Sequence, residues 1–413
     1  MTPLEVVRER VLARSAQMTP VRLARAEAAG LILAQDVVAT EQVPPFANTA
    51  VDGYAVRAAD VATVPVTLRV IGELAAGQAP TISVQQGTAI RIMTGAPIPD
   101  GCDAIVMVED SQRIGDTEIV LTRSVGVGDA IRNAGSDIEI GTCVFVSGTQ
   151  ISAMVEGVLA AMNATHVMVY PRVRVGVLST GDELVDDGSP LALGQIRESN
   201  RTILCRLVNE CGAQAIDLGI IRDDEALLEA VLREAVTRCD ALISSGGVSM
   251  GDYDIVKAVL SRIADMEWFQ IAMKPAKPFA FGTLRNSAQV DVPIFGLPGN
   301  PVSALVSFEL LARVALRTMM GHQSAAGRQQ VLAIVDEKVS RRSDGKVHFD
   351  RVFATWGSDG RVHVKRTGPQ GSHQLAATAS ANALMMVPDG NGLEQGDSVF
   401  VTFLGPDSGP SSG

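Results

Sequence analysis

Paired cysteines are missing from this sequence. The five cysteines, Cys102, Cys143, Cys205, Cys211 and Cys239, are odd in number and form no Cys-x-x-Cys pair. That excludes a disulfide framework or a zinc ribbon and points to a reducing, cytoplasmic setting. Clustered lysine and arginine are also missing, and the formal charge is -11. Binding to a nucleic-acid backbone relies on such clusters, so no nucleic-acid partner is expected. Small anions remain accessible to an acidic protein through local donors: a few placed cationic side chains, amides at helix starts, or a cation held by carboxylates. The N-terminus lacks a basic segment followed by an apolar run; Thr2-Pro3-Leu4-Glu5 reads instead as a capping box with proline in the first helical turn. The most apolar long stretch, residues 151–170, is interrupted by Glu156, Asn163 and His166. It therefore reads as a helix followed by a strand rather than a membrane span, and no membrane partner is expected. The glycosylation sequons at Asn163 and Asn200 are then accidental. There is no Gly-x-x-x-x-Gly-Lys-Ser/Thr loop, no Gly-x-Gly-x-x-Gly after a strand and no His-Glu-x-x-His, which leaves P-loop, nicotinamide and zincin chemistry without support. No internal repeat is present.

What is there is length and apolar content: 413 residues, 46% hydrophobic. Single cores rarely grow beyond about 250 to 300 residues, so several domains are expected. Between residues 172 and 321 short apolar runs alternate with helical stripes, the grammar of a βαβ series with a parallel sheet. Residues 173–179, 213–219, 241–245, 268–272 and 293–295 are strand-like. Ile203, Leu204, Leu207, Val208 and Cys211 form one helical stripe closed by Gly212. Asp223 is placed to cap a second helix, and Asn300-Pro301 to open a third running through residue 320. The fold class is multidomain α/β. A central doubly wound α/β domain (171–327) is joined by an N-terminal helix (1–26), a connecting domain (27–44 and 146–170), an inserted β-rich domain (45–145) and a C-terminal β-barrel (328–405). Residues 408–413 read as an appended expression tail.

Ligands of doubly wound sheets sit beyond the carboxyl ends of the strands, and the informative motifs fall there. Ser179-Thr180-Gly181-Asp182-Glu183 puts two hydroxyls and two carboxylates at one strand end. With Asp223, Asp224, Asp252 and Asp254, acidic groups gather after three successive strands. Such groups repel unless a cation joins them, and hard oxygen donors near phosphate suit Mg²⁺; for Asp223 and Asp254, service as a helix cap is the competing reading. Gly246-Gly247 aims a loop at ligand. Lys274 and Lys277, stiffened by Pro275 and Pro278, lie where an oxyanion is expected. Pro298-Gly299-Asn300-Pro301 joins a strand to a helix start whose unpaired amides can cradle an anion, unless its glycine and proline serve packing alone. Outside this domain, the loop around Asp52 and the Thr94-Gly95 turn gather polar donors that serve either a ligand or a turn. Gly247-Val248-Ser249-Met250-Gly251 matches a nucleophile elbow, but the histidines after it, His322, His348, His363 and His373, stand in no triad context.

Together, in this order, these segments resemble the molybdopterin molybdenumtransferase family, which includes the bacterial MoeA proteins and the E domain of gephyrin. The match spans almost the whole chain. It rests on Pro-Pro-Phe…Asp-Gly-Tyr-Ala at 44–55, Arg-Ile-Met-Thr-Gly-Ala-Pro at 91–97 and Gly-Ser-Asp-Ile at 135–138. To these are added Ser-Thr-Gly-Asp-Glu-Leu at 179–184, Ser-Gly-Gly-Val-Ser-Met-Gly at 245–251 and Gly-Leu-Pro-Gly-Asn-Pro-Val-Ser at 296–303. The pattern departs from the family at Ala47, where an aspartate is usual, and at Ile255, where a tyrosine is usual.

The resemblance implies an elongated homodimer of four-domain subunits whose central domain resembles the molybdopterin adenylyltransferases, which would supply the substrate. It implies that adenylylated molybdopterin and molybdate give molybdenum cofactor and AMP with the assistance of Mg²⁺. In that chemistry Glu183, Asp223 and Asp254 would position Mg²⁺. Lys274, Lys277 and the segment Pro298, Gly299, Asn300 and Pro301 would hold molybdate or phosphate oxygens, beside Ser179, Thr180, Gly246, Gly247 and Ser249. Asp52, Thr94 and Asp137 from the inserted domain, with Arg351 and Ser372 from the barrel, would close a cleft at the dimer interface. The rivals are a scaffold that binds molybdopterin or a peptide without chemistry, adenylyl transfer itself, and a serine hydrolase using Ser249.

Overall fold

The computed structural model describes residues 1–247, 255–323 and 327–404. The chain divides into two compact units. One comprises Met1–Val21, Gly30–Ala34 and everything from Met168 onward; the other comprises Arg22–Ala29 and Gln35–Val167.

The first unit is built on a six-stranded sheet of β1 (Arg174–Thr180), β2 (Gln214–Ile221), β3 (Ala241–Ser245), β4 (Asp265–Gln270), β5 (Pro278–Arg285) and β6 (Asp291–Leu297). Its order is β2-β1-β3-β6-β5-β4. The sheet is not fully parallel, as the alternating pattern led one to expect: β5 runs antiparallel to both neighbours. The physical reason is local, since the link from β5 to β6 is a short turn in which the Asn286 amide donates to the Val290 carbonyl at 3.0 Å, too short for a crossover. Being antiparallel to β5, β4 points the same way as β6, so the loops after β1, β3, β4 and β6 share one edge.

Successive residues of each strand face opposite sides, and both sides are covered. Val175, Val177, Ile243 and Phe295 enter one core with α1 (Leu4–Ala13) and α2 (Asn200–Glu210). Leu178, Leu242 and Ile294 enter the other with α3 (Glu225–Ala235) and α4 (Ile255–Ile263). This is the doubly wound arrangement expected. Ile255 packs against that second core, where an apolar side chain is at home.

Two helix starts differ from expectation. Thr2 does not cap α1: its amide donates to the Gln270 carbonyl at 2.8 Å, and Pro3 stands at the cap position without a side-chain bond. At α3 the capping side chain is Asp224, which accepts from the Leu227 amide at 3.0 Å, not Asp223. The long helix predicted from residue 301 is present, as α5 (Pro301–Ser307), a π-helical turn (Phe308–Ala312) and a further helix (Arg313–Met319). The π turn carries Glu309, 3% exposed, which accepts two bonds from Arg328 at 2.6 and 2.9 Å.

Beyond residue 327, strands Gln330–Val335, Val347–Trp356, Val362–Arg366, Ala383–Val387 and Ser398–Phe403 close a barrel, because Val347–Trp356 pairs with both Val362–Arg366 and Ala383–Val387. Val352, Ala354, Val364, Met385 and Val401 fill it. In the second unit a six-stranded mixed sheet carries Gly53–Val56 and Thr88–Ile92 at its centre. Residues 151–170 form the helix Ala153–Ala161 and the strand His166–Tyr170. No helix among the described residues is long and apolar enough to cross a membrane.

The long helix also ends in a pH-sensitive contact. His322 lies 3.1 Å from Arg317, and burial, with Arg317 and Arg313 beside it, pushes its pKa down to about 4. The unfolded chain takes up that proton near pH 6.5 while the folded chain resists it, so stability is lost as pH falls from about 6.5 towards 4. Allowing for partial exposure, the loss is about 1–2 kcal/mol. In thermal melts at pH 7 and pH 5, His322→Gln is expected to narrow the difference between the two midpoints; an unchanged difference would remove His322 from the acid response.

Candidate functional site

At the carboxyl edge of the central sheet the structure opens a cavity of about 350 Å³. Ser179, Thr180, Glu183, Gly246, Gly299, Asn300 and Pro301 all line it, so motifs separated by more than a hundred residues meet as the sequence indicated. Gly246 and Gly247 both take positive φ, +96° and +73°, a conformation open to glycine at little cost. A Cβ on Gly246 would stand 3.3 Å from both the carbonyl oxygen and the hydroxyl of Thr180.

The floor of the cavity is held by residues that the sequence reading did not single out. Asn200, dismissed above as part of a sequon, is buried at the start of α2 and donates from Nδ2 to Ser245 Oγ at 2.8 Å and to the Gly299 carbonyl at 2.6 Å. It thereby ties β3 to the loop after β6. Glu198 accepts from Ser179 Oγ at 2.9 Å and from the Arg201 amide at 2.8 Å. Ser179 is buried and its proton is committed to Glu198, so it braces the site rather than donating to a ligand. The signal that could have found both residues was the Glu-Ser-Asn run just before an amphipathic helix.

The anion cradle is smaller than the sequence implied. Pro298 and Pro301 carry no N–H, and the Val302 amide donates to the Ser372 carbonyl at 3.1 Å. Gly299 and Asn300 therefore supply the backbone donors of the Pro298–Pro301 segment. Ser372 contributes its carbonyl as a helix cap, and its loop brings His373 and Leu375 to the same cavity.

Arg351 holds that loop from beneath. It is fully buried, and its Nη2 donates to the carbonyls of Pro369 and Gly371 at 2.8 and 3.2 Å. Its own amide donates to Gln370 Oε1 at 2.7 Å. Burial pushes the guanidinium pKa down. Within the protein Arg351 positions the 369–371 loop, and its Nε and Nη1 have no hydrogen-bond partner there.

Lys274 and Lys277 lie, as predicted, in the connection after β4, both exposed and neither lining the cavity. Lys274 is also drawn towards the barrel: Met273 and Lys274 pair in parallel with Val347 and His348. Ala276 between the lysines takes φ +71°, and the Ile271 amide donates to the Lys277 carbonyl at 2.7 Å, so the segment is a closed turn.

For a cation, the described residues offer Glu183 and Asp223. Both carboxylates are exposed and carry no hydrogen bond or ion pair from another described side chain, while Asp182 accepts from the Asp223 amide at 3.3 Å. Hard oxygen donors not already matched to arginine or lysine fit Mg²⁺, which takes one or two carboxylates and fills its remaining positions with water and substrate oxygens. Among the described residues no group of three metal-binding side chains is assembled. Asp254, the third expected ligand, lies outside the described residues, as do Asp252 and Ser249.

In the second unit the structure joins two of the predicted residues directly. Asp52 Oδ1 accepts from both the amide and the hydroxyl of Thr94, each at 2.7 Å, and these bonds hold its carboxyl below the usual range. The Thr94 hydroxyl and amide are thus committed to Asp52 and not available to an anion. Arg91 supports the pair's setting, donating to the Gly53 carbonyl at 2.9 Å with its guanidinium over the Tyr54 ring. Asp137 is exposed; its amide donates to the Val43 carbonyl at 2.9 Å and its carboxylate makes no bond within the described residues.

A doubly wound sheet with a polar cavity at its carboxyl edge, reached by a loop from a β-barrel, defines a multidomain α/β protein with its cavity where sheets of this kind bind ligands. Three family models match the chain in succession: the MoeA N-terminal region (domains I and II) over residues 2–163, a probable molybdopterin binding domain over 176–318, and the MoeA C-terminal region (domain IV) over 337–404. A molybdopterin molybdenumtransferase of Haemophilus influenzae is 37% identical over 376 residues, covering 91% of each chain. Molybdopterin molybdenumtransferase 2 of Mycobacterium tuberculosis is 38% identical over 380 residues, covering 90% of this chain and 91% of that one. Among solved structures, the molybdopterin biosynthesis MoeA protein of Pyrococcus horikosii superposes with a TM-score of 0.81 at 30% identity, covering 98% of this chain and 99% of that chain. The chain belongs to the MoeA family of molybdopterin molybdenumtransferases.

Proposed function

We propose that this chain is a transferase of molybdenum cofactor biosynthesis that inserts molybdate into adenylylated molybdopterin and releases AMP. The observation that carries the reading is the convergence of Thr180, Glu183, Gly246, Gly299 and Asn300 on one cavity in a chain of this family. Thr180, whose hydroxyl has no bond among the described residues, and the amides of Gly299 and Asn300 donate to substrate oxygens. Lys274 and Lys277 hold molybdate as point charges. Glu183 and Asp223, with Asp254, hold Mg²⁺, which when bound neutralises charge developing on the phosphoanhydride as the bond to AMP breaks. Preorganised donors of this kind act by stabilising developing charge without reorganising. Asp52 orders the Thr94 turn, and Asp137 offers a carboxylate in the same unit. A homodimer is the working unit, with a molybdopterin adenylyltransferase supplying substrate, as family membership implies.

A scaffold without chemistry is the weaker reading, since binding an anion alone has no use for the unpaired Glu183 carboxylate in the same cavity as Gly299 and Asn300. The experiment is a Mg²⁺ titration of AMP release by wild type and Glu183→Gln. The variant is expected to need at least tenfold more Mg²⁺ for half-maximal release; an unchanged titration would take Glu183 out of the metal site.

A further inference from the structure

The donors on the cavity floor are spent within the protein, while Glu198 Oε2 and Asn200 Oδ1 are buried acceptors without a hydrogen-bond partner. Ser179 donates to Glu198, Asn200 donates to Ser245 and Gly299, and the first free amide of α5, that of Val302, donates to Ser372. Positive charge is therefore scarce where an anionic substrate must sit, and the floor brings a buried carboxylate, Glu198, with it. Among the described residues lining this cavity, two have cationic or basic side chains: Arg197 and His373. Neither belongs to a motif that pointed to function in the sequence, and Lys274 and Lys277 do not line the cavity.

Both residues sit on braced segments. Arg197 ends the short strand Ile196–Arg197, which pairs with Leu184–Val185 directly after Glu183, and its Nη2 donates to the Ser189 carbonyl. His373 follows Ser372 on the loop pinned by Arg351 from below and by the Val302 amide at its side. In that loop the Gln374 side chain accepts from the Gly371 amide at 3.0 Å, and the Leu375 amide donates to the His373 carbonyl at 3.0 Å. Arg197 and His373 are both exposed where they line the cavity, and in a cavity short of donors their guanidinium and imidazole N–H groups are placed to make charge-assisted bonds to phosphate oxygens.

We propose that Arg197 and His373 are specificity-determining residues that bind the phosphate oxygens of the nucleotide-linked substrate, leaving molybdate to the lysines. The proposal rests on the transferase reading, which assigns the substrate its phosphoanhydride.

The test separates the two. Binding of ADP, an inert phosphoanhydride, and of adenylylated molybdopterin is measured by calorimetry for wild type, Arg197→Ala, Arg197→Lys and His373→Ala, alongside the molybdate concentration giving half-maximal AMP release. Each alanine variant is expected to bind both phosphoanhydrides about tenfold or more weaker, with an unchanged melting midpoint and an unchanged molybdate half-saturation. Arg197→Lys is expected to recover part of the loss. Wild-type affinity in both alanine variants overturns the proposal, as does a loss that falls on molybdate instead. A wild type that binds adenylylated molybdopterin without releasing AMP overturns the transferase reading, while the binding arms still decide whether Arg197 and His373 hold phosphate.

Discussion

Arg351→Ala is expected to destabilise the protein by about 3–5 kcal/mol, from a large-to-small change at a fully buried site together with two carbonyls that lose their donor. The side chain is fully buried, and three bonds fasten it and its backbone to the 369–371 loop. Alanine would leave two carbonyls without their donor and a void the size of a guanidinium, and both losses add. The effect should reach the cavity as well, since the loop delivers Ser372 to the start of α5 and His373 to the cavity lining. Arg351→Met provides the control. Nε and Nη1 already lack partners, so an apolar chain of similar volume recovers part of the stability while the loop carbonyls stay unmet. Urea denaturation checks the order wild type, methionine, alanine. Wild-type stability in the alanine variant would contradict the positioning role.

Gly246→Val is expected to abolish turnover in a protein that still folds. At φ +96° a β-branched residue is strained by about 1–3 kcal/mol, and its Cβ would start 3.3 Å from the Thr180 carbonyl oxygen and hydroxyl. Relief requires either the β1 end or the Gly246 turn to move. The Gly246 amide donates to the Leu297 carbonyl at 3.0 Å, so a shift there disturbs the strand end that leads into the anion cradle. AMP release measured beside circular dichroism separates loss of activity from loss of fold, and a folded variant with wild-type turnover would show that this turn does not shape the site.

Much of this site was legible in the sequence because strand ends of a doubly wound sheet converge whatever their separation along the chain. Apolar runs at 241–245 and 293–295 marked the central strands, and the motif after each had to fall at one edge. Hydrogen bonding between side chains was not legible. That Asn200 reaches Ser245 and Gly299 depends on how α2 abuts β3, which no spacing encodes. Ser179 and Thr94 looked like ligand donors because a hydroxyl at a strand end has that chemistry, and only the structure shows Glu198 and Asp52 taking their protons. The parallel pattern misled at β5, where apolar content is the same for either direction and a short turn decides. Arg351 alternates with Val352 and Ala354, which fill the barrel, so spacing alone did not foretell that it is fully buried, and an arginine reads from sequence as a functional charge.

The most direct test of the account is AMP release from adenylylated molybdopterin by the purified protein, with and without molybdate and Mg²⁺. Release that requires both ions, with molybdenum recovered on the pterin, is the predicted result. Tight binding of adenylylated molybdopterin with no AMP released under any combination of ions would contradict it.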